Sequence, residues 1–413
     1  MAHFALICPP FYSHIRVFEA LAEVLTARGH RTTFLLNAGA ESLLSSGGPP
    51  ACTVGGAGDL AAITQRAARP DGPLGILRTV ADTAALTEAL CRDGPAILQR
   101  LGVDAVIGDQ MEPAAGLIAA HLQLPQISLA CALPVNAAPG IPLPFLDWPY
   151  DPSPEGLKRN RGGERVAALL LRRQRKTIEG WAERFGLSTR STLEDCVSPL
   201  LQISQCPAAF DFPRPIQVGF HAVGPIRRTA SGNGALPFAC DPGRPFVFAS
   251  LGTLQGHRLG IFQTIAKACR RLGAQLLVAH CGGLSPSQAA SIDADVVTDF
   301  ADQAAVLDRA DVCVTHGGMN TVLDALQRKV PLMVIPVAFD QPGIAARVVH
   351  HSVGRKRSRR WLTAAKVEED LRALLGSARY RQAAAALGPG IMASDGAARA
   401  SDLIEAALRG KNG

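Results

Sequence analysis

Residues Val312–Gln341 read VCVTHGGMNTVLDALQRKVPLMVIPVAFDQ, and the rest of the chain is arranged around them. Val312-Cys313-Val314 is a short β-branched apolar run, the composition of a buried strand. It stops at Thr315-His316-Gly317-Gly318, where paired glycines allow a tight turn. Asn320 to Gln327 carries Val322, Leu323, Ala325 and Leu326 without a breaker, which predicts a helix closed by Lys329-Val330-Pro331. A second apolar run, Leu332 to Val337, predicts the next strand. Strand, turn, helix and strand in this order make one unit of a parallel sheet.

The polar residues of this unit fall where ligands bind such sheets. The turn aims unpaired backbone N–H groups and the positive end of the helix dipole at whatever lies above the strand, which favours a phosphate. His316, Asn320 and Thr321 surround that point. Asp324, four residues after Asn320 and three after Thr321, shares their helix face one turn deeper, where a carboxylate takes ribose hydroxyls. Asp340-Gln341 leaves the next strand on the same edge, with an acceptor and a mixed donor-acceptor suited to sugar hydroxyls.

The whole chain has 413 residues, enough for two domains, and its 47% hydrophobic content supplies two cores. A net charge of +7 is compatible with nucleic acid, a membrane surface or an anionic nucleotide substrate. No basic stripe interleaved with aromatics supports nucleic acid. The 10 cysteines are scattered without a C-x-x-C pair, which predicts reduced core thiols in the cytosol rather than disulfides or zinc. Phe4 to Cys8 is interrupted by Pro9-Pro10 and lacks a basic flank, so no secretory leader is predicted. No apolar run approaches the roughly 18 residues needed to cross a bilayer, which predicts a cytoplasmic protein with at most peripheral membrane contact.

Near the N-terminus, Phe4 to Cys8 predicts the first strand and Val17 to Arg28 a helix. His14 stands between them in Pro9-Pro10-Phe11-Tyr12-Ser13-His14, on a loop leaving the carboxyl end of a strand. Val103 to Gly108 predicts another buried strand, and Asp109 leaves its end before the helix Pro113 to His121. Both residues are expected on one sheet edge, where the carboxylate would orient the imidazole and stabilise its protonated form. The alternative for Asp109 is a helix N-cap.

Taken with Phe300-Ala301-Asp302-Gln303 upstream, Val312–Gln341 resembles the donor-binding signature of the UDP-glycosyltransferases, the inverting GT-B enzymes. The resemblance implies an α/β fold of two facing Rossmann-like domains with a central cleft. It implies that Phe300 stacks on the base beside Gln303. It further implies that His316, Gly318, Asn320 and Thr321 hold the diphosphate, that Asp324 holds the ribose, and that Asp340 and Gln341 hold the sugar. Phe300 stands where the family has Trp, and Asp324 where it has Glu, one methylene longer. Ser250-Leu251-Gly252-Thr253 matches a further family motif, implying Thr253 as a donor contact. His14 and Asp109 match the family's base and its partner. The family uses a nucleotide sugar as co-substrate with neither metal nor cofactor, and no obligate protein partner is implied. Gln341 after Asp340 favours UDP-glucose. The opening, HFALICPPFYSHIR through LAEVLTARGHRTTFL, is similar to the bacterial branch that glucosylates carotenoid hydroxyls, which implies zeaxanthin as acceptor. Macrolide, flavonoid or sterol acceptors remain open. So do two rivals: a non-catalytic binding relative and a UDP-sugar epimerase.

These observations divide the chain into an acceptor domain over 1–222, a linker over 223–244, a nucleotide-sugar domain over 245–385 and a closing segment over 386–413 that packs back on the first domain. Leu133 to Pro154 is rich in proline and carries Phe145, Trp148 and Tyr150. With Phe11 and Tyr12, Phe145 and Trp148 are the candidate acceptor lining. Lys158 to Lys176 ends in Arg172-Arg173-Gln174-Arg175-Lys176 and reads either as a solvated helix or as a basic lip resting on anionic lipid. Arg355 to Arg360 reads as a solvated basic face. Gly56-Ala57-Gly58-Asp59-Leu60-Ala61 fits a dinucleotide pattern without its distal acid and is read as loop. Asp293-Ala294-Asp295 spells the D-x-D of metal-dependent glycosyltransferases, but it precedes a strand rather than ending one and is not assigned a metal.

Overall fold

A computed structural model describes residues 1–56, 58–70, 72–228, 238–392 and 395–410. Residues 229–237 of the proposed linker, Ala57 of the glycine-rich pattern, and 393–394 and 411–413 of the closing segment lie outside the described residues. The first sheet comprises β1 (His3–Ile7), β2 (Arg31–Asn37), β3 (Ala51–Val54), β4 (Ala105–Asp109), β5 (Gln126–Ala130), β6 (Leu201–Ser204) and β7 (Phe220–Ala222). Its order is β3-β2-β1-β4-β5-β6-β7, parallel throughout. The second comprises β8 (Phe246–Ser250), β9 (Gln275–Ala279), β10 (Val296–Thr298), β11 (Val312–Thr315), β12 (Leu332–Val334) and β13 (Gly354–Lys356). Its order is β10-β9-β8-β11-β12-β13, also parallel. The fold is therefore two-domain α/β.

Parallel strands are covered by helices on both faces, and the side chains alternate between two cores accordingly. Phe4 and Leu6 enter one core and Ala5 and Ile7 the other. In the second sheet, Phe246 and Phe248 face one core and Val247 and Ala249 the opposite one. Each fully buried Phe or Leu of this kind contributes roughly 1.5–3 kcal/mol. In both sheets the strand order reverses beside the first strand, between β1 and β4 and between β8 and β11. Open α/β sheets bind ligands at these switch points.

Several expectations are corrected locally. The first helix is Tyr12–Ala27 rather than starting at Val17. Pro9-Pro10 ends the strand, Phe11 is extended at the N-cap, and nothing between Tyr12 and Val17 breaks a helix. The segment Lys158 to Lys176 is split at Leu171 into helices Pro154–Leu170 and Arg172–Arg184. The strand after the Met319–Gln327 helix stops at Val334, ahead of Pro336. Arg355 to Arg360 is not simply a solvated face. Arg355 and Arg357 converge on the buried Asp370, at 2.6 Å each, and Lys356 reaches Asp147.

The closing segment does two things. Helix Ala378–Met392 packs on the Met319–Gln327 helix, with Ala384 and Ile391 in the second domain's core, so the boundary drawn at 386 falls inside it. Helix Gly396–Arg409 packs on the first domain, with Ala397, Ala400 and Ile404 in its core and Asp402 on Arg28 at 2.7 Å.

Candidate active site

At the switch point of the first sheet, the Tyr12–Ala27 helix begins directly after β1, so His14 lies in its first turn rather than in a loop. Asp109 is the last residue of β4, the strand beside β1. His14 Nδ1 stands 2.7 Å from Asp109 Oδ2. The other carboxylate oxygen accepts from the Met111 N–H at 2.8 Å, so the acid is held at both ends. The carboxylate selects the tautomer protonated on Nδ1, leaving Nε2 as the free acceptor. Burial by itself would lower the His14 pKa. The charge and hydrogen bond of Asp109, with Asp340 behind them, raise it above its ordinary value instead. The Phe11 ring lies 6.2 Å from His14 and 6.0 Å from Phe339, which reaches across from the second domain. Phe339 holds φ at +55°, a left-handed conformation that costs an aromatic residue roughly 1–3 kcal/mol.

At the switch point of the second sheet, the Met319–Gln327 helix starts at its N-cap, Gly318, directly after Gly317 at φ +90°. A Cβ at Gly318 would stand 2.7 Å from His316 Cε1 and Nε2, and one at Gly252 2.7 Å from Cε1. The His316 imidazole is thus seated between two glycines of neighbouring turns. Burial lowers its pKa to about 4, so it is neutral at physiological pH. Thr321 donates to Gln303 Oε1 at 3.3 Å, and Gln303 Nε2 donates to Asp324 Oδ2 at 2.6 Å. Asn320 is tied to the first domain: its Nδ2 donates to the Ser13 carbonyl at 3.4 Å, and its Oδ1 accepts from Gln205 at 3.1 Å. Phe300 follows β10 with 62% of its surface exposed, a flat face open to a base. Thr253 is exposed in the first turn of the short helix Gly252–Gln255.

Asp340 Oδ2 accepts from the Leu133 N–H at 3.1 Å. Burial raises its pKa, outweighing that bond and the attraction of His14. Gln341, expected at the sugar, also serves the backbone. Its Oε1 accepts from the Val337 and Ala338 N–H groups at 2.9 and 2.8 Å, bracing the turn, so only its amide N–H groups are left for a ligand. Phe145 and Tyr12 are exposed, the latter beneath Arg16 at 4.4 Å. Trp148 is committed to the helix Pro154–Leu170, against Gly163 and under Arg159 at 5.3 Å. The proline-rich segment spans the cleft: Gly343 N–H donates to the Pro144 carbonyl at 3.1 Å, and Asp147 meets Lys356.

The sequence reading missed Ser13, Leu133, Gln205, Arg227 and Phe339. Leu133 and Ser13 act through backbone groups, which carry no residue signature. Gln205 and Arg227 come close only because β6 and the segment after β7 end beside the second domain. The D-x-D pair is bound within its own domain, Asp293 to Arg270 of the helix Leu259–Leu272 at 2.9 Å and Asp295 to the Leu276 N–H of β9 at 2.8 Å. Among the described residues, His14, Asp109 and Cys131 have ligating atoms within 4.8 Å of one another. Burial first, then the charge of Asp109, pushes the Cys131 thiol well up. It is a protonated partner of the carboxylate rather than a thiolate ligand.

Two parallel sheets, one with a histidine-aspartate pair at its switch point and the other with a helix N-terminus at its own, have the architecture of the GT-B glycosyltransferases, which move a sugar from a nucleotide carrier. Residues 188–389 match the family described as UDP-glucoronosyl and UDP-glucosyl transferase. Over 98% of its length the chain is 43% identical to the zeaxanthin glucosyltransferase of Pantoea ananas, covering 96% of that protein. It is 42% identical to that of Pseudescherichia vulneris, with 99% of each chain covered. The chain belongs to this glycosyltransferase family. Among solved structures, the glycosyltransferase of kitacinnamycin shares the fold, with a TM-score of 0.78 at 20% identity over 98% of this chain and 99% of that one.

Proposed function

We propose that the chain transfers glucose from UDP-glucose to a hydroxyl of an apolar acceptor, zeaxanthin, with inversion at the anomeric carbon. The observation that carries the reading is the 2.7 Å pair of His14 and Asp109 at the switch point of the first sheet. His14 Nε2 takes the acceptor proton as the hydroxyl oxygen attacks the anomeric carbon. Asp109 stabilises the resulting imidazolium, a general-base contribution of roughly 10² to 10⁴ in rate. The bond from the anomeric carbon to the β-phosphate oxygen breaks on the opposite side, and UDP leaves toward the Met319–Gln327 helix, where backbone N–H groups, Asn320 and Thr321 receive its charge. Phe300 and Gln303 hold the base, Asp340 and the amide of Gln341 the sugar. In this division, residues 1–222 bind the acceptor and 245–385 the donor. UDP-glucose is a co-substrate, and no cofactor enters the scheme.

The carotenoid acceptor is supported by the similarity to the zeaxanthin glucosyltransferases of Pantoea ananas and Pseudescherichia vulneris, and by the exposed apolar side chains Tyr12, Met111 and Phe145. Tyr12 lies two residues from His14, and Met111 two from Asp109. Such an acceptor resides in a bilayer. Among the described residues, no helix is long and apolar enough to cross one. Val166 and Leu169 are 58% and 73% exposed beside Arg165, Arg172 and Arg173, which supports peripheral contact at the cytoplasmic face.

The test is purified protein with UDP-glucose, zeaxanthin in detergent micelles and EDTA, reading UDP release and glucoside by chromatography. Glucoside is the expected product. UDP-glucose binding without product would remove the carotenoid, and no binding would remove the donor. Co-sedimentation with anionic vesicles at low salt is expected, and its absence would remove the membrane contact.

A further inference from the structure

Asp324, the carboxylate assigned to the ribose, already has both oxygens engaged: Gln303 on one and the Arg227 Nε on the other at 3.1 Å. Arg227 lies at the start of the linker, where the chain is still anchored on the first domain. It follows Val223 and Ile226, both in that domain's core, yet its guanidinium lies on the Met319–Gln327 helix of the second. Nη1 donates to Gln205 Oε1 at 2.8 Å and to the Ile226 carbonyl at 2.9 Å, and Nη2 donates to the Asn320 carbonyl at 3.3 Å. Gln205 in turn donates to Asn320 Oδ1 and to the Cys131 carbonyl, so the arginine is held on a second, ordered side chain. A guanidinium has five N–H donors, and these bonds leave an Nη2 N–H over at the first turn of the helix. Arg227 is also 29% exposed, so a ligand in the cleft can reach it.

The charge balance gives this position its meaning. A nucleoside diphosphate brings negative charge to a helix N-terminus lined by His316, Asn320 and Thr321. His316 is neutral there, the other two have no charge, and the carboxylate on the same helix face, Asp324, repels the ligand. A helix dipole offers only about half a charge. Arg227 reverses the sign of this face.

We propose that Arg227 is a donor-binding residue that pairs its guanidinium with the diphosphate of the nucleotide sugar, with Asp324 and Gln205 as its positioning residues. The inference rests on the nucleotide-sugar reading of the cleft. A charge-assisted hydrogen bond of this type corresponds to roughly tenfold to hundredfold in affinity.

The test titrates wild type, Arg227→Gln and Arg227→Lys with UDP and dTDP by calorimetry and with uridine by ligand-observed NMR. The Arg227→Gln protein is expected to lose roughly tenfold to hundredfold in UDP affinity but less than about threefold in uridine affinity, with Arg227→Lys recovering part of the loss. The UDP loss is also expected to shrink at high salt. Unchanged UDP affinity in Arg227→Gln overturns the assignment. So does equal weakening of UDP and uridine, which would make Arg227 a brace for Asp324 and nothing more. A wild type that binds neither UDP nor dTDP overturns the nucleotide-sugar reading and Arg227 with it; a wild type that binds them leaves that reading standing whatever the variants do.

Discussion

As the proposed base, His14 would work only when neutral, and its environment sets the pH at which that happens. Burial disfavours the imidazolium, but Asp109 and Asp340 outweigh it and raise the pKa above 6.5. A base with a raised pKa loses its proton later, so the acid limb of kcat/KM is expected above pH 6.5. In Asp109→Asn, burial acts with only Asp340 against it. The limb is then expected to move to lower pH while the plateau falls roughly 10² to 10³-fold, because the imidazolium formed in the transition state is no longer paired. A pH profile of both proteins checks this; an unmoved limb would mean that another group titrates. His14 and Asp109 were legible in the sequence because each follows a short apolar strand. The position of His14 inside a helix was not, since the apolar periodicity begins only at Val17.

Among the elements, the turn between β11 and the Met319–Gln327 helix carries the tightest geometry. Its two glycines have different duties. Gly317 needs the left-handed backbone at φ +90°, whereas Gly318 has an ordinary φ of −64° and is required for space alone. Gly318→Ala puts a methyl group 2.7 Å from the His316 ring, which has Gly252 on its other side. The ring must shift, and UDP affinity is expected to fall roughly tenfold with the circular dichroism spectrum unchanged. Calorimetry reads the outcome, and full affinity would show that His316 and the turn do not hold the diphosphate. Glycine spacing made the turn visible in sequence. The use of Gln341 Oε1 as a backbone brace was not visible, because its partners are the N–H groups of Val337 and Ala338.

For the whole molecule, one of the contacts between the two domains is a buried ion pair. Arg347, 2% exposed and the largest fully buried side chain among the described residues, meets Asp211 at 2.6 Å and stacks on Phe212 at 4.2 Å, while Arg214 takes the other Asp211 oxygen at 3.0 Å. Burial would raise the Asp211 pKa, but the two guanidinium groups prevail and lower it. A depressed carboxylate contributes stability above its unfolded pKa and loses it as pH falls through the folded value, so this contribution is whole at neutral pH and disappears in acid. Arg347→Met removes one cation and leaves the buried carboxylate with Arg214 alone. A loss of about 3–5 kcal/mol in urea unfolding at pH 7 is expected. A loss below about 1 kcal/mol would mean that the domains are held elsewhere, for instance by the helix Gly396–Arg409 on the first domain.

The local sequence of this chain was sufficient for the central strands of the two parallel sheets and for the glycine turn after β11, but not for the edge strands β3, β7 and β13. Strand brevity, β-branching, glycine pairs and helix periodicity are all short-range signals, and most of the expected donor residues fall in or just after one βαβ unit. Tertiary structure alone decided everything that depends on the approach of one domain to the other: Phe339 on Phe11, Leu133 on Asp340, Gln205 on Asn320, and Arg227 on Asp324. These partners are 97 to 328 residues apart, the extremes being 227 with 324 and 11 with 339, and no periodicity links them. Their meeting follows from how the connection after β6 and the closing helices bring the two switch points face to face, a relation set by burial over the whole molecule.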